Sequence, residues 1–176
     1  MIALLIRSAE NPFFRATALI LTLFMMWVLS RQGEMLQTKE APNRVVSLEL
    51  AWTGKNAQKV ITSWDAKQVR PVAIKQVLLD FIFIAAYACL LFYIGLTAGK
   101  AARALDLILI ARIAHLAAWG GLLAGLFDCL ENFGLLIMLW GRPTNLVAAV
   151  TSVFAVLKFA LAGAVFGAAL VVFVVS

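Results

Sequence analysis

The chain has 176 residues, of which 64% are hydrophobic and only 14% charged, with a mean hydropathy of +0.97. That composition lies outside the range of soluble globular domains and excludes a water-soluble enzyme or binding module. The formal charge of +6 is dispersed along the edges of apolar runs, which argues against a nucleic-acid partner and for interfacial Lys and Arg beside membrane lipids.

Crossing a hydrocarbon core of about 30 Å takes roughly 20 helical residues, and runs of that kind occur at 13–30, 77–98, 107–140 and 146–175. They are apolar on every face, whereas a membrane β-barrel alternates within segments of about ten residues. The predicted fold is all-α, with residues 1–176 forming a single membrane domain of four transmembrane helices in an antiparallel bundle. The first run, FFRATALILTLFMMWVLS, has the basic flank of a secretory signal. No small-x-small cleavage site follows in LSRQGEMLQ, so it is read as a retained helix.

Residues 31–76 form the long extramembrane loop. Within it RVVSLEL alternates apolar and polar residues and predicts a short extended piece. KNAQKVITSW places Ala57, Val60, Ile61 and Trp64 at i, i+3, i+4 and i+7, which predicts an amphipathic helix over about 55–65. Such a helix either lies flat at the headgroup boundary or lids the open end of the bundle. Pro71 in RPVAIK suits the first turn of the second span, where its missing N–H costs nothing. Lys and Arg are more numerous on this side than on the terminal side, which carries Arg7, Arg15, Lys100 and Arg103; the count places the loop in the cytoplasm. The links TAGKAARALD and GRPTN are short and force antiparallel neighbours.

The third span contains LFDCLENFGLL, with Asp128, Glu131 and Asn132 inside an apolar run. At 100° per residue the three span an arc of about 100°, and Ala114, Ala117, Gly121, Ala124 and Gly125 fall on the same face. A charge at the bilayer centre costs about 2.5–3.5 kcal/mol, so this face is expected to look into the bundle. At 1.5 Å per residue, Asp128 and Lys158 both lie about 18 Å from the loop-side face, with Glu131 at about 14 Å and Tyr87 at about 15 Å. Asp80, seven residues before Tyr87 on the same face of the second span, is placed nearer the surface, at about 5 Å.

The structural reading of this set is a network that fixes helix register, with Asp128 or Glu131 paired to Lys158 and Asn132 bridging helices. One lysine cannot neutralise Asp80, Asp128 and Glu131, however. At least one carboxyl is expected to be protonated or matched by a cation or a ligand donor, and ionisable groups inside a membrane are functional candidates by default.

Other chemistries find no support. Cys89 and Cys129 are the only cysteines and form no CxxC, so they are read as packing residues. His115 is the only histidine, which excludes zinc sites built on several. No nucleotide-binding loop, nucleophile elbow or haem-attachment sequence occurs. No cofactor and no metal site is expected.

Three stretches, VVSLELAWTGKNAQKVITSWD, LLDFIFIAAY and LFDCLENFGLL, together resemble a family of small, uncharacterised bacterial four-helix inner-membrane proteins. The resemblance runs from about Val45 to Lys158. It implies that Asp80, Tyr87, Asp128, Glu131, Asn132 and Lys158 occupy recurring polar positions in a protein of the bacterial cytoplasmic membrane, and it supplies no activity. The polar start RSAENPFFR departs from the family's pattern.

Two classes of function stay open beside the purely structural one. In the first, the acidic cluster binds a small ligand, a cation or the polar part of a lipid-like molecule, with transport as its extension. In the second, paired carboxyls act as acid and base on a lipid-like substrate inside the membrane.

The fourth span raises a question of assembly. Gly163 and Gly167 stand at GxxxG spacing, about 140° and 180° around the helix from Lys158. If Lys158 faces inward, the glycines form an outward groove, filled either by a second copy of the chain or by the first helix. Replacing both with Ile is expected to abolish a homo-oligomer in mild detergent while the monomer stays folded. An unchanged oligomer, or a wild type that is already monomeric, counts against the interface.

Overall fold

The computed structural model describes residues 11–175; Arg7, counted above on the terminal side, lies outside them. The elements in chain order are α1 (Pro12–Gly33), a 3-10 turn (Glu34–Leu36), α2 (Val46–Glu49), α3 (Gly54–Ala66), α4 (Arg70–Ala104), α5 (Ile108–Leu139) and α6 (Asn145–Val175). Helices α1, α4, α5 and α6 are long and apolar enough to cross a membrane. They pack antiparallel, with α3 between the first and second of them. The chain is an integral membrane protein.

Each long helix buries a narrow stripe whose members are three or four residues apart, the seam by which helices pack at a shallow angle. On α5 the stripe runs Ala111, Ala114, Ala118, Gly121, Gly125, Asp128, Asn132, Leu135 and Leu139. On α6 it runs Ala148, Thr151, Ala155 and Lys158 and resumes two turns later with Val165, Ala168 and Val172. The other faces expose large apolar side chains, such as Phe24 and Trp27 on α1 and Phe166 and Phe173 on α6, as a lipid-facing surface requires.

Contacts divide the chain into two compact units. One contains Ala85–Leu126, with α1 up to Leu23 and α6 from Lys158. Its helices approach closely through small residues: a Cβ on Gly95 would stand 2.6 Å from the Cα of Ala118. Ala98, Ala102, Ala111 and Ala114 cluster with Ala168 and Val172, and the rings of Phe92 and Trp119 meet edge to face at 5.3 Å.

The second unit comprises Phe24–Ile84 and Phe127–Leu157, and here α3 contributes the core. Thr53 adopts extended backbone at its N-cap and accepts a hydrogen bond from the Asn56 N–H at 3.2 Å. Ala57, Val60, Ile61 and Trp64 are all buried and pack with Leu36, Leu48, Leu135 and Met138, among others. The indole of Trp64 is wholly buried, and its N–H donates to the Leu36 carbonyl at 2.7 Å. The apolar stripe of α3 is thus spent on protein, which favours the lid of the two alternatives.

Three further expectations change. RVVSLEL is not extended: Val46–Glu49 forms a single helical turn, because Val45, Leu48 and Glu49 fit helical spacing and bury Leu48 and Glu49 together. The second span begins at Arg70, seven residues before its apolar run, since polar first turns continue a helix wherever backbone bonds can form. Among the described residues, a Cβ at Gly163 or Gly167 would meet nothing within 4 Å, which goes against the alternative that α1 fills that groove.

Two substitutions probe the units separately. Trp64→Ala is expected to cost about 3–5 kcal/mol, as for other buried aromatics, and to expose the loop to protease in mild detergent. Gly95→Ala is expected to lower the melting temperature, because the obstacle is backbone, whereas Gly163→Ala is neutral or slightly stabilising. Thermal unfolding followed by tryptophan fluorescence distinguishes these outcomes.

Candidate functional site

The rotation of α5 sets the site. Asp128, Glu131 and Asn132 are 4%, 0% and 2% exposed, as an inward face demands. Asn132 donates from its amide nitrogen to the Asp80 carboxylate at 2.8 Å, joining α5 to α4. Because α4 starts at Arg70, Asp80 stands about 15 Å along its helix rather than about 5 Å. This greater depth is what brings it level with Asn132, which lies about 10 Å before the end of α5.

The long loop adds groups that cover this pair. The Asn43 N–H donates to the Ser47 hydroxyl at 3.0 Å, and Arg44 turns through the left-handed region at φ 58°, a conformation that costs a non-glycine residue about 1–3 kcal/mol unless its surroundings hold it. The Arg44 guanidinium holds it by donating to the Ser30 carbonyl at 3.2 Å. At the other end of α2, the Ser152 hydroxyl donates to the Glu49 carbonyl at 2.7 Å and accepts from the Trp52 N–H at 3.0 Å. Trp52 is also left-handed, at φ 58°. A single turn of helix, pinned at both ends, carries Glu49 inward to 8% exposure.

Beneath this turn lies a cavity of about 270 Å³ lined by Arg44, Glu49, Gln76, Asp80 and Asn132, with Asn43, Ser30 and apolar neighbours completing the wall. Gln76 donates to the Leu29 carbonyl at 3.1 Å, which fixes its amide orientation. Its carbonyl oxygen is buried with no hydrogen-bond partner in the described structure. A buried acceptor left in this way costs about 1–3 kcal/mol until a donor reaches it. Two carboxyl side chains, the amides of Gln76 and Asn132 and the Arg44 guanidinium face this space. The wall is rich in acceptors and suits a cation or a group bearing several N–H or O–H donors.

Of the residues singled out from sequence, Asp80 and Asn132 come together at this cavity. Asp128, one turn before Asn132 on α5, and Glu131, its immediate neighbour, are buried and do not line it. Tyr87 is half-buried in the other unit and does not line it either, since it is about 10 Å along α4 from Asp80. Lys158 is 7% exposed, and its ammonium stands 5.0 Å from the centroid of the Phe159 ring. Both cysteines are free thiols, His115 is exposed, and no group of three metal-ligating side chains gathers among the described residues. Glu49, Arg44 and Gln76 escaped the sequence reading. The usable signal for Glu49 was the helical spacing hidden in VVSLE.

Asn132→Leu is expected to destabilise the protein by about 1–3 kcal/mol, the cost of removing a hydrogen bond to the half-buried Asp80 carboxylate. Asp80→Leu/Asn132→Leu together should cost less than the sum of the single changes. Unfolding of the four proteins of this cycle in mild detergent measures the coupling; additive losses would mean that the pair is not energetically joined. No protein-family model, curated protein or solved structure matches the chain.

Proposed function

We propose that this membrane protein binds the cationic, hydrogen-bond-donating group of a small ligand or lipid headgroup in the cavity beneath its long loop. The observation that carries this reading is the buried Gln76 carbonyl oxygen without a partner, set in a wall that also holds Glu49 and Asp80. Asn132 acts as a positioning residue, turning Asp80 toward the cavity through their hydrogen bond. The volume of about 270 Å³ falls just below the range of about 300–1,000 Å³ for drug-sized ligands, which favours a headgroup-sized occupant over a whole lipid.

The resemblance noted from sequence supports placing the protein in a bacterial inner membrane, with transport as an extension of binding. The open groove at Gly163 and Gly167 supports a homo-oligomer as the assembly in which transport would operate.

The test uses the full chain in nanodiscs, titrated with ethanolamine, choline and tetramethylammonium while thermal unfolding is followed. Saturable stabilisation by at least one of them is expected, with affinity weakened at least tenfold, about 1.4 kcal/mol, by Glu49→Gln or Asp80→Asn. Stabilisation by none of the probes, or affinity unchanged in both variants, would show that the polar residues only fix helix register.

A further inference from the structure

The other unit carries a second concavity, of different chemistry. A groove of about 600 Å³ runs where α1, α4 and α6 meet, lined by Ala16 and Leu19 of α1, Tyr93 and Ala101 of α4 and Phe173 of α6, with Arg15 also in its wall. Its lining is otherwise almost wholly apolar, and its residues lie at the start of α1 and the ends of α4 and α6. Lys100 and Arg103 are exposed on the last turns of α4, next to Ala101. Arg112 is exposed one turn into α5, across a connection whose acid is Asp106. Among the described residues, four cations stand against one carboxylate at this end of the unit, which makes it positive.

Arg15 is the informative member. It sits in the first turn of α1, one turn after Asn11, whose side chain accepts from the Phe13 N–H at 2.9 Å. A cation there opposes the positive end of the helix dipole, so the sequence has placed it against a local cost. An anion at this position satisfies both the guanidinium and the helix end. In a membrane, a groove with one cationic end and an apolar length has the shape of a phospholipid, and basic pockets between transmembrane helices recognise anionic headgroups.

We propose that this groove binds one anionic phospholipid, its phosphate over Arg15 and an acyl chain along Leu19, Tyr93 and Phe173. The site is separate from the cavity beneath the loop, and its occupant is told apart from a bulk neighbour by charge. Purified full-length protein in mild detergent, offered equal amounts of phosphatidylglycerol and phosphatidylcholine with identical chains, is read by native mass spectrometry. Preferential retention of phosphatidylglycerol is expected. Arg15→Gln should reduce that preference about fivefold, the contribution of one cation near an anionic headgroup, whereas Arg15→Lys should keep most of it.

Ala101→Trp, at an exposed position in the groove wall, should reduce retention of both lipids by filling the space for the chain. Glycerophosphoglycerol, which has the headgroup and no chains, should not compete. Equal retention of the two lipids by the wild type, an unchanged preference in folded Arg15→Gln, or full competition by the chainless headgroup would each overturn the proposal.

Discussion

A carboxyl or amide side chain on a membrane helix has one acceptable direction, and the orientation of Asp128, Glu131 and Asn132 governs what surrounds them. Turning these groups away from lipid fixes the rotation of α5, because a helix is rigid about its axis. The same rotation directs Gly121, Ala118, Ala114 and Ala111 inward, about two to five turns before Asp128. Small side chains then permit close backbone approach where polar groups are absent, and Asn132 supplies a hydrogen bond where they are present. Both uses of one stripe follow from a single constraint, the cost of a polar group in hydrocarbon.

The long loop behaves as part of the protein core rather than as a surface appendage. Its helix α3 buries four apolar residues against the ends of α4 and α5, and its flanks are anchored by side chains of the membrane helices. Gly54 donates its N–H to Asn145 at 2.9 Å and packs so tightly on Pro143 that any Cβ there would collide with the proline carbonyl. Arg70 donates to the Leu139 carbonyl from Nε at 2.7 Å and from Nη2, and it pairs with Asp65 at 3.2 Å. Closing the carbonyl end of α5 with a guanidinium satisfies a helix terminus that would otherwise be covered and short of partners.

Much of this was legible from residue order. The four apolar runs, the period of α3 and the inward face of Asp128, Glu131 and Asn132 all follow from hydropathy and a 3.6-residue repeat, because lipid leaves the backbone no alternative to helix. The structure departs from the sequence reading where water or protein replaces lipid as the neighbour. The first turns of α4 are polar, so hydropathy placed its start too late and Asp80 too shallow. Glu49 sits in a stretch where alternation turns Leu48 inward and Glu49 outward, whereas a single helical turn buries both, and only tertiary contacts such as that from Ser152 decide between them. Hydropathy also cannot tell a helix that lids protein from one that rests on a bilayer, since both bury the same stripe.

The connection between α5 and α6 has a bearing on how the chain tolerates change. Its few residues are held from three sides, by Arg70 at Leu139, by Gly54 against Pro143 and Asn145, and by the left-handed turn at Gly141, φ 92°. One inserted residue would turn α6 by about 100° relative to α5, carrying Ser152 away from the Glu49 carbonyl it now meets. An insertion is therefore expected to be borne better in connections that carry no such clamps, and the five-residue connection at 140–144 serves as the ruler that sets the register of the last helix.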